Sequence, residues 1–173
     1  QLIGSPFAVT VATGAVSAKL TSDRSVTPLR GTAPAAAAAP VVSVHDLDGQ
    51  PVDLGQWIGK TPVFLEFWAT WCTSCQALEP AVRAAREAYG AKVEFIGINI
   101  TVGDPRDSVR AWVARHDPPY RVLYDDEGES QRAYDVAATS YVVIIDRAGR
   151  IVYAGTGGSQ SFGTVLGRVT ANQ

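Results

Sequence analysis

Methionine is absent from the 173 residues, and cysteine and histidine occur twice each. No apolar run approaches the roughly 18 residues a membrane-spanning helix needs. Each scarcity excludes something. Two cysteines in a single C-x-x-C cannot staple a fold across distance, so a framework of structural disulfides is excluded and chemistry at one spot becomes the question. The compartment stays open, because a reactive pair works in reducing or oxidising surroundings. With two histidines, a closed zinc site falls short of four donors unless His45 and His116 both join the sulfurs. Charge is scarce too. Charged residues make up 18% and the formal net charge is −2, which argues against a nucleic-acid surface or a polybasic membrane patch. The aromatic residues show no interleaved basic stripe, so RNA-type stacking is not expected. A chain without Met that begins at Gln1 reads as a processed or trimmed product, with any signal peptide or upstream domain out of sight.

What is present falls into three zones. In residues 1–22, Phe7, Val9 and Val11 alternate with Ala8, Thr10 and Ala12, and Val16, Ala18 and Leu20 alternate with Ser17, Lys19 and Thr21. A period of two on both sides of Gly14 predicts a β extension. The competing reading is a signal-peptide remnant with Val16-Ser17-Ala18 as a cleavage site, but the apolar run is diluted by Thr and Ser and no basic segment precedes it. The stretch Ile3–Ala18, a Gly-Ser-Pro-Phe turn followed by alternating valines, resembles the last strand of a filamin-type immunoglobulin-like repeat. That resemblance implies the tail of a longer multidomain protein in an intracellular, cytoskeletal setting. Residues 23–40 hold Ser, Thr, Pro and five consecutive alanines, Ala35–Ala39, between prolines, which is a linker by composition.

Residues 41–173 carry the main domain. Strands are expected at Val41–Val44, Val63–Trp68, Val93–Ile100, Arg121–Tyr124, Tyr141–Ile145 and Ile151–Ala154. Helices are expected at Cys72–Tyr89, Asp104–His116, Glu129–Tyr134 and Ser161–Thr170. In the second helix Asp104 is the expected N-cap and Pro105 the first-turn proline. Alternating strands and helices imply parallel pairing in the centre, and the hairpin around Arg147-Ala148-Gly149 adds antiparallel strands at one side. The expected fold class is α/β, with a mixed central sheet flanked by helices and an N-terminal β extension.

Both cysteines lie where the buried strand FLEFW ends and a helix begins, in WATWCTSC. A helix N-terminus carries about half a positive charge and unpaired N–H groups. A thiolate there is stabilised, so Cys72 gains nucleophilicity near neutral pH. Cys75 sits one turn further in, close enough to attack a mixed disulfide formed at Cys72. Trp68 and Trp71 shield the pair from water and offer an apolar contact surface.

WATWCTSC behind FLEF resembles the thioredoxin superfamily, and the longer pattern resembles its TlpA/ResA-like, AhpC/TSA-redoxin type branch. Asp46–Leu54 with Gly59-Lys60, Pro80 in the helix, Pro119–Asp125 and Ile145–Val152 carry the likeness across residues 41–171. The resemblance implies a thioredoxin fold and thiol–disulfide exchange with a protein partner. No cofactor is implied beyond the redox-active Cys72–Cys75 disulfide. Cys72 would attack, Cys75 would resolve, and Glu66 would be the buried acid that takes the Cys75 proton, its pKa raised by the apolar strand. The bland alternative for Glu66 is a glutamate paired to a nearby lysine. The branch is extracytoplasmic and membrane-tethered, in contrast to the filamin-type setting. The loop Thr139-Ser140-Tyr141 would present backbone groups to the substrate beside Trp71. Ser140 occupies the slot where such proteins place a cis-proline, so this loop is expected to be trans and reshaped, or strained.

Two rivals stand beside the enzyme reading: a scaffold module with little redox activity, and a thiol metal-binding protein holding Cu(I) or Zn(II). His116 beside Asp117-Pro118 reads as a helix-end residue, and His45 as a surface residue, so no dedicated metal site is expected. Asp125–Glu129 lacks calcium-loop spacing and reads as an acidic turn feeding a helix N-terminus. Gly155–Gly158 lacks the lysine of a phosphate loop and reads as a flexible connector.

Overall fold

The structure, a computed structural model, describes residues 37–171. The β extension, its filamin-type resemblance and most of the linker therefore lie outside the described residues. The end of the compositional linker is already part of the domain. Ala38 bridges Arg150, the Ala39 N–H donates to the Gly149 carbonyl at 2.8 Å, the Ile151 N–H donates to the Ala37 carbonyl at 2.9 Å, and Ala39 is buried.

Among the described residues, seven strands form one sheet: β1 Ser43–His45, β2 Pro51–Asp53, β3 Val63–Trp68, β4 Glu94–Asn99, β5 Arg121–Tyr124, β6 Tyr141–Ile145 and β7 Ile151–Thr156. The helices are α1 Thr73–Tyr89, α2 Arg106–His116, α3 Glu129–Ala133 and α4 Gly163–Thr170. The sheet order is β2-β1-β5-β4-β3-β6-β7. The centre, β3 with β4 and β4 with β5, is parallel, as the βαβ alternation requires. β6 runs antiparallel to β3 and β7 antiparallel to β6, so the sheet is mixed as expected. β2 is an addition to the periodicity reading. It is too short to alternate visibly, and only its pairing with β1, Val52 opposite Val44, makes it a strand.

Every residue of β3 is buried, which is why FLEFW reads as a continuous apolar run rather than an alternating one. Val63, Leu65 and Phe67 join a core with Ile96, Ile98, Val143, Ile145, Val109 of α2 and Tyr134. Phe64 joins the opposite core with Leu78, Val82 and Ala85 of α1 and Val165 and Leu166 of α4. Its ring stacks on Phe95 at 4.8 Å and meets Phe162 edge-on at 5.0 Å. Alternation then places Glu66 on the Phe64 side of the strand, under α1.

The second helix departs from expectation. It starts at Arg106, with Pro105 in the cap position and no side-chain cap. Asp104 turns inward instead. Its buried carboxylate accepts the Thr70 N–H at 2.7 Å, the Thr70 hydroxyl, and the Asn99 amide at 2.8 Å. Three donors in a buried setting outweigh one exposed cap, worth typically about 1 kcal/mol.

Candidate active site

Cys72 is the N-cap of α1, with extended backbone at φ −77° and ψ 101°. Its sulfur accepts the Cys75 N–H at 3.0 Å, the bond an oxygen usually makes in a helix cap. Cys72 and Cys75 are joined in a disulfide. A disulfide sulfur has no hydrogen, so at 3.3 Å the Ser74 hydroxyl is the donor to Cys72 Sγ. One sulfur thus already collects a backbone N–H and a hydroxyl at the positive end of a helix. The same groups would hold a thiolate after reduction. Ser74, one of the two residues between the cysteines, is therefore a site residue.

Beside the disulfide lies a small recess open to solvent. Glu66, Trp68, Ala69, Cys72, Cys75, Gln76, Glu79, Trp112, Pro118 and Tyr120 line it. Glu66 is 2% exposed. Burial pushes its pKa from 4.5 up to about 8, and the Glu79 charge adds to the rise. Tyr120 reaches this spot because Gly97, the strand neighbour of Glu66, has no side chain. A Cβ on Gly97 would lie 2.2 Å from the Tyr120 ring. Burial, then the Glu66 charge, hold the Tyr120 hydroxyl well above its usual range, so it stays neutral. No lysine pairs with Glu66 in the recess lining.

Trp71 is half exposed, and its indole N–H donates to the Val102 carbonyl at 2.7 Å. Val102 is exposed beside it. The pair forms an apolar ledge at the rim of the disulfide. The Asp104 bonds to Thr70 hold the 99–105 loop against WATWC, which fixes that ledge.

The Thr139–Tyr141 loop is trans and reshaped, since no cis peptide occurs among the described residues. Ser140 sits at φ +60°, a left-handed conformation. Its N–H donates to the Phe67 carbonyl at 2.8 Å, and its own carbonyl accepts the Gly157 N–H and the Gln160 amide, both at 3.1 Å. Ser140 is fully buried, and its backbone groups are spent inside the protein. Thr139 and Tyr141 are half-buried. The segment 155–158 is not a loose connector. Gly155 and Thr156 belong to β7, Gln160 also donates to the Gly157 carbonyl at 2.7 Å, and a Cβ on Gly158 would meet the Ser74 carbonyl at 2.9 Å. Thus Gln160, which no motif marks, ties the Ser140 loop to Gly157, and the adjoining Gly158 packs against the start of α1. A Ser140→Pro substitution is expected to lose at least about 2 kcal/mol in urea unfolding, because proline can neither adopt φ +60° nor donate to Phe67.

The two histidines lie elsewhere. His45 pairs with Asp126 at 2.7 Å. His116 stacks on Trp112 and bonds its carbonyl. No group of three potential metal ligands occurs among the described residues. Asp125 behaves as the acidic turn predicted, accepting the Ser130 and Gln131 N–H groups at the start of α3.

A sheet of this order, with a C-x-x-C disulfide capping the helix that follows its central strand, defines a thioredoxin-fold protein. The chain belongs to the Redoxin family, whose profile matches residues 34–166. It is 32% identical over 115 residues to the thiol-disulfide oxidoreductase ResA of Bacillus thuringiensis subsp. konkukian, covering 66% of this chain. The match spans 65% of that relative's length. A putative thiol:disulfide interchange protein DsbE from Chlorobium tepidum shares the fold, with a TM-score of 0.67 at 22% identity over 82% of this chain and 98% of that one. A secreted Mycobacterium tuberculosis disulfide oxidoreductase superimposes with a TM-score of 0.62 at 25% identity, over 75% and 95% of the two chains. The family match bears on residues 34–166, and nothing in these comparisons supports the filamin-type resemblance.

Proposed function

We propose that this protein is a thiol–disulfide oxidoreductase that exchanges electrons with a protein partner through Cys72 and Cys75. The observation that carries the reading is the Cys72 sulfur, seated as the cap of α1 and receiving the Cys75 N–H. In the reducing direction, the Cys72 thiolate attacks one sulfur of the partner's disulfide. A mixed disulfide forms and the partner's other sulfur leaves as a thiolate. Glu66 then takes the Cys75 proton, and the Cys75 sulfur attacks Cys72 Sγ. The Cys72–Cys75 bond forms, the bond to the partner breaks, and the second partner sulfur departs with the electron pair. Two electrons pass to the partner, and the disulfide itself is the redox group, so the exchange needs no cofactor.

Docking falls to the exposed rim: Trp71 and Val102 on one side, and the loop of Thr139 and Tyr141 on the other. Ser140 supports that loop from within. No helix among the described residues is long and apolar enough to cross a membrane. The likeness to a secreted disulfide oxidoreductase supports an extracytoplasmic setting over the cytoskeletal one. Reduction of insulin disulfides by wild type and by Cys72→Ser tests the reading. Equal rates would end it.

A further inference from the structure

We propose that Glu79 and Arg83 form a charge-tuning pair that sets when Glu66 holds its proton, and so the pH at which Cys75 is freed to attack. The proposal rests on the acid–base reading of Glu66 given above. Cys75, Glu79 and Arg83 follow one another at intervals of four on α1, so they form one stripe along the helix. Cys75 and Glu79 line the recess with Glu66. Arg83 Nη2 lies 2.6 Å from Glu79 Oε1. The same guanidinium donates to the His116 and Asp117 carbonyls at 3.0 and 2.8 Å, at the negative end of α2. Arg83 is therefore anchored across two helices and holds the Glu79 carboxylate in place. The Glu79 side chain is 29% exposed while Glu66 is 2% exposed, so of the two carboxylates in the recess Glu79 is the one that meets water.

The titratable groups facing Glu66 are few. From α1 come Cys75 and Glu79. From the segment before β5 comes Tyr120, held neutral. The flanking strands contribute Gly97 and Val142, which carry no charge. From α2 comes Trp112, and the His116 ring that stacks on it is outside the recess lining. Glu79 is thus the other carboxylate in the lining. Its charge disfavours ionisation of Glu66, and Arg83 offsets part of that charge. The proton that Glu66 takes from Cys75 passes on to bulk water through the recess that Glu79 lines.

The two members of the pair have opposite effects, which separates tuning from mere support. In the oxidised protein neither cysteine titrates, so carboxyl-carbon NMR of labelled glutamate follows Glu66 directly, with Glu66→Gln identifying its signal. The wild-type midpoint is expected at about 8. Glu79→Gln is expected to lower it and Arg83→Gln to raise it, each by about half a pH unit. The double variant is expected to follow Glu79→Gln. Any pattern other than opposite shifts overturns the proposal. The pH profile of insulin reduction is read alongside. If Glu66→Gln leaves its inflection in place, the acid–base reading of Glu66 is lost whatever the NMR shows. If Glu66→Gln removes the inflection while the midpoint ignores both neighbours, only the tuning pair is lost.

Discussion

Cys72→Ser is expected to lower the rate of insulin disulfide reduction by at least about 10³-fold, because a hydroxyl in that place supplies no thiolate and the covalent step disappears. The cap geometry makes this variant a clean one. Serine is itself a favourable N-cap residue and can accept the Cys75 N–H as the sulfur does. Helix α1 should therefore keep its start, and unfolding should change by no more than loss of the short-range disulfide entails. Cys75→Ser gives the complementary result. Attack by Cys72 proceeds, resolution does not, and the partner accumulates as a mixed disulfide at Cys72. Were Cys72→Ser to retain activity, or Cys75→Ser to trap nothing, the order of events at the two sulfurs would have to be abandoned.

Glu66→Gln is expected to gain stability relative to wild type as pH rises. The folded-state pKa of Glu66 is about 8, against 4.5 for an unperturbed glutamate. Between these values the folded protein holds a proton that the unfolded chain has released. Wild-type stability therefore falls as pH rises through that window and levels off above the folded value. The full window corresponds to on the order of 5 kcal/mol. Glutamine has no proton to lose, so the variant should lack this slope. Urea unfolding of both oxidised proteins from pH 4 to pH 9 reads the difference directly. Parallel stability curves would mean that Glu66 ionises as freely as an exposed carboxylate, and would remove the ground for its role in resolving the mixed disulfide.

Much of this site is legible in the sequence because it is local. The strand FLEFW, the helix after Cys72 and the position of Glu66 within a buried run follow from apolar periodicity and the strand-to-helix junction. What is not legible depends on contacts between distant segments. Asp104 has the pattern of a helix cap, yet it serves Thr70 and Asn99, which reach it from β3's exit and β4's end. Ser140 is recognisable as a departure, but its left-handed backbone depends on Phe67, Gly157 and Gln160. Tyr120 enters the recess only because Gly97 stands beside Glu66, and no pattern in the chain pairs those residues. Glu79 lies between these cases. Its spacing of four from Cys75 is local, while its place in the recess with Glu66 depends on the sheet.

The central claim is that α1 steadies Cys72 as a thiolate. The direct measurement is the rate of alkylation of reduced Cys72, in the Cys75→Ser background, as a function of pH. The account predicts a midpoint well below the value of about 8.5 for free cysteine. A midpoint at or above that value would contradict it.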